Sequence, residues 1–572
     1  MNDIKQITAI DARLKALAEE RRGILSMPAE QAREAIFESP HGVALVHSIR
    51  EEDFYFLVQE IGGEDALELL GLASARQWEF LLDMDMWEKD RISLATWTRW
   101  LNLLMRADPK RLVRWISEEH IEEIEYYLFR NLQVVFREHD EDPSDFGEGF
   151  HTYDDVVYVR FDDTLYDPEK DAEALAERDA FLEAFLSRLA ADDHGVYHNM
   201  LLESRCVIPA EQEEEAYRLR NVRMAEKGFH PFDEAIGIYQ GLPLERLQGA
   251  HPEAPSKRLP SGGAPPPLYP VSLLEPESLL GRSLAQMEAQ GDIDALQSEF
   301  AGLCNRIISA DQQNIQEREA LRPVVKKACG YVGIGLEALA GGPDVPPEQA
   351  ASLILAHPLE MIFRVGYGRA LDLKWRAEKW RRESWAEARG LPLSFWGEAW
   401  LGVIGGLLIR RPLFFDNYRS GVLYREFHAM ADIEAAERVL AQVIAVDELF
   451  GLMGDIPIPS ERTMVTWERL MLSLWARHAV GREDIGLVLP KEVFRDFYET
   501  LWEGHLPTRR ISDAAKERFL EWLAGAARLE VYALSRKFRE TFEALFAAVE
   551  EEYQAVSGDD LDPRHVHFFM LS

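Results

Sequence analysis

Apolar residues recur every three to four positions along most of the chain, in short stretches that end at glycines or begin after helix-capping serines. Between residues 51 and 137, for example, Phe54, Val58 and Ile61 share one helical face, and two glycines follow directly. This spacing predicts amphipathic helices, and helices this short cannot bury their apolar faces without neighbours. The sequence therefore predicts a mostly α fold in which short helices stack on one another.

Two capping serines and one β pattern refine this prediction. Ser74 and Ser93 stand where N-caps of two of the short helices are expected. Within the acid-rich stretch from 138 to 171, residues 156–161 combine β-branched and aromatic side chains between turn formers. We therefore expect one small β insertion in an otherwise helical protein.

Composition changes divide the chain into five expected segments. Ten prolines and glycines crowd residues 249–270, which is too many for a regular element and marks the best domain boundary. The expected segments are N-terminal helices (1–50), a stacked short-helix, superhelical domain (51–137), an acidic β insertion with helices (138–248), a Pro/Gly-rich linker (249–275) and a larger helical C-terminal domain (276–572).

Two sequence resemblances accompany this pattern. The rhythm ALELLGLASARQWEFLLD at 66–83, partly echoed by KRLVRWISEEHIEEIEYYL at 110–128, resembles the stacked short-helix cytosolic domain of MgtE-type magnesium transporters and flagellar motor-switch proteins. That resemblance implies a regulated helical array that contacts other proteins. The stretches LLDMDMWEKDR and EKGFHPFDEAIGIY, with the Trp-rich C-terminal half, resemble a large bacterial protein family of unknown function.

The net charge indicates which classes of partner to expect, and the cysteine content indicates the cellular compartment. The chain has 63 Lys and Arg against 100 Asp and Glu, a formal net charge of -37, and such a field repels nucleic-acid phosphates and anionic lipids. No apolar run approaches the roughly 20 residues of a membrane span. Three scattered cysteines and the lack of an export signal favour a reducing cytoplasm. We therefore expect a cytoplasmic protein with neither nucleic acid nor membrane insertion.

One histidine pair is the strongest candidate for chemistry. His194 and His198 lie four residues apart, with Glu203 shortly after them, and this spacing on a helix points both imidazoles toward one side. The sequence offers these three residues as candidate metal ligands. The other interpretation is a helix end that is capped by carboxylates and binds no cofactor. The sequence leaves both open, a bound divalent cation and a capped helix end.

A basic and aromatic patch is the candidate contact surface. Its residues are Trp375, Arg376, Lys379, Trp380, Arg381 and Arg382. Arginine with tryptophan can stack on aromatic bases or grip acidic groups, and in so acidic a chain we expect a protein contact instead of nucleic acid. The partner is either another protein or a second copy of this chain.

The spacing of Gly333, Gly335 and Ala338 matches GxGxxA, but the preceding residues follow a helical face where a dinucleotide fold needs a strand. We therefore interpret that stretch as helix. From the sequence alone we expect an interaction or regulatory scaffold with an acidic helical surface. The alternative is a metal-dependent enzyme that uses the His194 and His198 region.

Overall fold

The computed structural model describes residues 2–138, 141–167, 170–248, 255, 265–313, 315, 318–458, 465–482 and 486–572. Helices dominate, as the apolar periodicity predicts. The helices are α1 Asn2–Leu25, α2 Ala29–Glu38, α3 Gly42–Ser48, α4 Glu51–Ile61, α5 Leu67–Leu72, α6 Ala75–Asp85, α7 Leu94–Ala107, α8 Pro109–Glu119, α9 Ile121–Asn131, α10 Ala172–Asp192, α11 His194–Ser204, α12 Pro209–Ala225, α13 Phe232–Ala235, α14 Leu244–Gln248, α15 Leu279–Leu284, α16 Gln290–Asp311, α17 Arg322–Ala340, α18 Pro347–Ala356, α19 Leu359–Glu383, α20 Trp385–Ala388, α21 Gly397–Leu408, α22 Met430–Leu452, α23 Trp467–Ala479, α24 Lys491–Glu499, α25 Asp513–Ala527 and α26 Val531–Tyr553.

The strands are short and antiparallel. They are β1 Trp87–Glu88, β2 Arg91–Ile92, β3 Leu132–Phe136, β4 His151–Thr152, β5 Val157–Phe161, β6 Phe414–Phe415, β7 Tyr424–Arg425, β8 Trp502–Glu503 and β9 Arg510–Ile511. The largest described sheet has the order β3-β5-β4, with Val134 opposite Val159 and His151 opposite the same residue. The β insertion expected at 156–161 is confirmed as β5, whose Val157 and Val159 are buried.

The chain forms two compact units. Unit 1 comprises residues 1–240, 245–332 and 345–363, and unit 2 comprises residues 241–244, 333–344 and 364–572. Helices α17 and α19 each contribute residues to both units. Of the predicted linker 249–275, residues 249–254 and 256–264 lie outside the described residues. The remaining part, residues 265–275, belongs to unit 1, where Tyr269 is 2% exposed.

Short helices that are neighbours or next neighbours along the chain stack in unit 1 as predicted: α4 packs on α6, α5 on α7, and α8 on α7 and α9. Ser74 is a confirmed N-cap, because its hydroxyl accepts from the Gln77 amide while the Gln77 side chain accepts from the Ser74 amide. Ser93 precedes α7 as expected, but its hydroxyl bonds the Thr96 hydroxyl instead of a helix amide. The Gly333-Gly335-Ala338 stretch lies inside α17, which confirms the helical interpretation.

Large aromatic side chains fill the interior of each unit. In unit 1 Trp78 and Trp100 are at most 1% exposed, and their indole N–H groups donate to the Leu70 carbonyl and to Asp85. In unit 2 Trp400 and Trp467 stack with ring centroids 4.7 Å apart. Burial of such rings removes large apolar areas from water and so stabilises each unit.

Within the part of the chain that the structure describes, no single helix has the length and apolar character to cross a membrane. One pair of segments, Leu359–Ala388 and Leu393–Leu408, has them when the two are taken together, but the pair is bent by 94°.

A glycine after α12 makes a close backbone crossing. Gly228 has φ +88°, and a Cβ added there would lie 2.8 Å from the Cα of Gly302 on α16. We expect Gly228→Ala to lower the free energy of unfolding of unit 1 by about 2–4 kcal/mol, because the new methyl group combines a strained φ with a backbone clash. Urea unfolding followed by tryptophan fluorescence measures this change.

The matched control is Gly302→Ala, on the other side of the same crossing. Gly302 lies inside α16 of unit 1, and an added Cβ there would meet nothing within 4 Å. Because alanine favours helix over glycine, this variant should gain about 0.5–1 kcal/mol. Equal effects of the two substitutions would contradict the assigned backbone crossing.

Candidate metal centre

Three side chains from two elements of unit 1 converge beside the three-stranded sheet. They are Asp154, in the loop between β4 and β5, and His194 and His198, on α11. One ligand atom from each residue lies within 4.8 Å of the other two. We call this group the Asp–His–His cluster.

Hydrogen bonds within its own loop hold the Asp154 side chain in place. Its Oδ1 accepts hydrogen bonds from the amides of Val156 and Val157, both at 2.9 Å. The Thr152 hydroxyl donates to the same oxygen at 3.2 Å. These bonds leave Oδ2 to face α11, and the side chain is only 4% exposed. Hydrogen bonds that fix one carboxylate oxygen and direct the other toward further ligands are typical of the groups that orient a metal ligand.

The first turn of α11 positions both histidines. The Asp193 side chain caps this helix by accepting from the amides of Gly195 and Val196, each at 3.0 Å. His194 and His198 then lie one turn apart on the same face, with ring centroids 4.3 Å apart. The cap therefore fixes the start of the helix and with it the direction of both imidazoles.

The two histidines lie at different distances from Asp154 and differ in their exposure to solvent. His198 Nε2 lies 2.5 Å from Asp154 Oδ2, which is a hydrogen bond. His194 Nε2 lies 3.6 Å from the same oxygen. The His194 side chain is 55% exposed, whereas the His198 side chain is 29% exposed. The cluster is therefore buried on the carboxylate side and open to solvent on the His194 side.

Electrostatics favour an ionised carboxylate here. Burial raises the pKa of Asp154, but hydrogen bonds from the Val157 and Val156 amides and from His198 outweigh burial, so the pKa lies below its ordinary value. Nearby, burial raises the pKa of Tyr197, with Asp154 and Tyr153 adding to the rise. The Tyr197 hydroxyl is buried without a hydrogen-bond partner among the described residues. An anionic carboxylate and a buried phenol thus interact electrostatically next to the two histidines.

The residues singled out in the sequence as ligands separate into two places. His194 and His198 meet in the cluster, whereas Glu203 is exposed near the other end of α11. There Glu203 lies close to Glu125: burial, Glu203 and Glu122 raise the pKa of Glu125 to about 7. The third member of the cluster, Asp154, was not identified from the sequence, since 40 residues separate it from His194 and its loop carries no ligand spacing.

The basic and aromatic patch also divides, here between the surface and the interior of unit 2. Trp375 is 54% exposed, and Arg376 pairs with Glu437. Lys379, Arg381 and Arg382 are exposed, and Arg381 lies 3.6 Å from Glu387. Trp380 is only 6% exposed and donates its indole N–H to the buried Asp447. It is a core residue and is not available to a partner.

Comparison with known proteins gives the chain a family. A family model described as a family of unknown function (DUF6178) matches residues 8–572. The chain therefore belongs to that family, in agreement with the resemblance noted in the sequence. No curated protein and no solved structure matched the chain.

Proposed function

We propose that the chain, as a member of this family, is a metal-dependent enzyme of the hydrolytic class, with a divalent transition-metal ion held by Asp154, His194 and His198. The observation that supports this proposal is the convergence of one carboxylate oxygen and two imidazole nitrogens within 4.8 Å. Two imidazoles and a carboxylate are a common donor set for zinc and for other first-row metals.

The two distances to Asp154 can be compared with those around a bound zinc ion. Ligand atoms about 2.0–2.2 Å from a tetrahedral zinc ion lie about 3.4 Å from each other. The separation of 3.6 Å between His194 Nε2 and Asp154 Oδ2 already agrees with that value. His198 Nε2, at 2.5 Å, has to move away by about 1 Å. The His198 side chain is 29% exposed, so it is not fully enclosed by the protein.

An open side supports catalysis over a purely structural role. Structural zinc sites are closed by four protein ligands, whereas catalytic sites keep a position for water or substrate. The cluster has three ligands and faces solvent at His194. A metal ion bound there would lower the pKa of a water molecule and polarise a substrate oxygen.

The first test is metal content. We expect the purified full-length chain, loaded with Zn²⁺ and desalted, to retain one ion per chain by mass spectrometry. His198→Ala should weaken binding beyond the about 10- to 100-fold loss typical of outer-shell changes. The matched control is His230→Ala, because that histidine is also 29% exposed and paired with a carboxylate, Glu234. Equal retention by both variants would contradict the assignment.

The second test examines the open position. In the Co²⁺-loaded chain, azide should change the visible spectrum, and the spectrum should titrate as the bound water ionises near pH 7, as it does for water on catalytic zinc. A spectrum insensitive to both azide and pH would point to a closed, structural metal site and would contradict the enzymatic part of the proposal.

A second candidate function is the interaction scaffold, and exposure of Trp375 favours it. A tryptophan more than half exposed beside Arg376 and Lys379 is the kind of residue that anchors protein contacts. The partner in this hypothesis is a second copy of the chain. Sedimentation velocity should then show a species larger than 65.5 kDa, which Trp375→Glu returns to the monomer. A monomeric wild-type chain at tens of micromolar would contradict it.

A further inference from the structure

A groove lies between α9 and α12 in unit 1, and the end of α8 and Ile92 of β2 complete its wall. Its volume is about 260 Å³, and it is open to solvent. Five glutamates and several apolar side chains line it. We call it the acidic groove, after these glutamates: Glu118, Glu119, Glu122, Glu123 and Glu215.

Helix α12 packs on the protein along only a small part of its surface. Of its 17 residues only Met224 is buried, whereas Leu219 and Val222 are 37% and 56% exposed. Most helices in proteins are stabilised by the packing of an apolar face. Helix α12 therefore has apolar surface left over, on which a further helix can pack.

The wall on α9 has the same character. Ile121, at the start of α9, is 36% exposed and lines the groove together with Leu219 of α12. Tyr126 of α9 also lines the groove and is 3% exposed. Single exposed apolar residues are normal on a protein surface. Here two of them share one groove with an almost buried tyrosine, which is typical of a contact site.

The groove is negatively charged, because most of its carboxylates lack a basic partner. None of the described residues in its wall is a lysine or an arginine. Arg218 binds Glu215 through two hydrogen bonds, and His120 lies 3.5 Å from Glu123. The three glutamates that remain are exposed and form no ion pair among the described residues; they are Glu118, Glu119 and Glu122.

Bases beside the groove do not cancel this charge. Arg91 and Arg130 lie near Tyr126, and Arg114 precedes Glu118 by one turn of α8. A fourth base, Arg223, is bound by the buried Asp83. Further acids on α11 and α12 are at least as numerous as these bases: Glu203, Glu211, Glu213 and Glu214.

The acidic groove fits a partner that is both apolar and basic. A small cation would leave Ile121 and Leu219 in water, and an uncharged apolar helix would leave the three exposed glutamates without counter-charges. An amphipathic helix with lysines and arginines at its edges supplies both, and helices pack into the groove between two neighbouring helices. Nucleic acid and anionic lipid are repelled by the same glutamates.

We propose that the acidic groove binds a basic amphipathic helix of another protein. Its apolar side chains lie against Ile121 and Leu219, and its lysine and arginine side chains lie beside Glu118, Glu119 and Glu122. Charge complementarity of this kind selects the partner and speeds association. The groove shares no residue with the Asp–His–His cluster or with the surface around Trp375, so the proposal does not depend on either candidate function.

The test uses a labelled helical peptide of about 18 residues, or five turns, made of lysine and leucine with all leucines on one face. Fluorescence anisotropy at about 150 mM salt should give a Kd below about 100 μM for the wild-type chain. A peptide of the same composition, with the leucines scattered around the helix, should bind at least about 10-fold more weakly. No binding of the first peptide, or equal binding of the two, would overturn the proposal.

A charge reversal locates the peptide. Glu118→Lys combined with Glu122→Lys should weaken binding at least about 10-fold. The matched control is Glu517→Lys combined with Glu521→Lys, because these glutamates are also exposed, lie one turn apart on α25 and give the same change in net charge. Equal weakening by both double variants would mean that the peptide responds only to the overall charge, and it would refute the site.

A second pair of variants tests the apolar contact. Leu219→Ser should weaken binding about 3- to 10-fold, whereas Leu529→Ser should leave it unchanged, although the two leucines are 37% and 39% exposed. Equal affinities of these variants would contradict a contact at Leu219.

Sedimentation velocity of the chain without peptide tests the other occupant, a second copy. We expect the double variant of Glu118 and Glu122 to sediment like the wild-type chain. A wild-type dimer that this double variant dissociates would place a second copy in the acidic groove and would overturn the proposal.

Discussion

Replacement of Asp447 by alanine is expected to lower the free energy of unfolding of unit 2 by about 3–5 kcal/mol. Asp447 lies on α22 and is 4% exposed. Its carboxylate accepts four hydrogen bonds, from the Trp380 indole, the Ser384 hydroxyl and the amides of Trp385 and Ala386, at 2.9–3.1 Å. One side chain thus ties the end of α19 and the start of α20 to α22.

The expected loss is large because the donors are buried as well. Trp380 and Ser384 are 6% and 3% exposed, so water cannot replace the acceptor without opening the core. Each buried polar group left unpaired costs about 1–3 kcal/mol. Burial raises the pKa of Asp447 even though these donors lower it, which is consistent with a carboxylate enclosed by the protein.

The adjacent residue supplies the control. Glu448 is 60% exposed and pairs with Lys537, itself 54% exposed, so Glu448→Ala should change stability by less than about 1 kcal/mol. Urea unfolding with hydrogen exchange at the Trp385 and Ala386 amides measures both variants. Similar stability of the two variants, with unchanged exchange at those amides, would show that Asp447 does not hold these helices.

The second large effect concerns pH and Asp53. This residue, on α4, is 5% exposed and accepts hydrogen bonds from the amides of Leu268 and Tyr269 at 2.7–3.0 Å. Burial raises the pKa of Asp53 to about 7, with Glu52 adding to the rise and the amides and Arg318 opposing it. The residue thus fastens the last part of the Pro/Gly-rich stretch to α4.

The direction of the pH effect follows from that pKa. The unfolded chain releases the Asp53 proton near its ordinary pKa of 3.8, whereas the folded chain holds it until about pH 7. Between pH 3.8 and pH 7 the folded state binds more protons than the unfolded state, so the free energy of unfolding falls as pH rises. Above pH 7 the contribution of Asp53 no longer changes with pH. At about 1.4 kcal/mol per pKa unit, the fall attributable to Asp53 reaches roughly 4 kcal/mol.

Asp53→Asn removes this titration. We expect the difference in unfolding free energy between wild type and variant to change steadily from pH 4 to pH 7 in favour of the variant, measured by urea unfolding at each pH. Asp65→Asn, at an exposed position, should follow the wild-type curve. Parallel curves for wild type and Asp53→Asn would show that Asp53 titrates normally in the folded chain.

Local sequence patterns determined the elements of this protein. The spacing of apolar residues predicts the short helices, the capping box at Ser74 requires residues only three positions apart, and the β-branched run predicts β5. The spacing of His194 and His198 also places both imidazoles on one helical face. Each of these features depends on neighbours within about one helical turn, which a sequence displays directly.

Tertiary packing decided which residues that are distant in the sequence come into contact. The sequence contains no sign that Asp154 meets α11, that Trp380 turns inward to Asp447, or that Ile121 and Leu219 line one groove. Each depends on where whole helices pack, and many nearly equivalent arrangements satisfy the same amphipathic pattern. Periodicity therefore distinguishes the buried face of a helix from the exposed one, whereas only the folded chain decides which polar groups share a buried site.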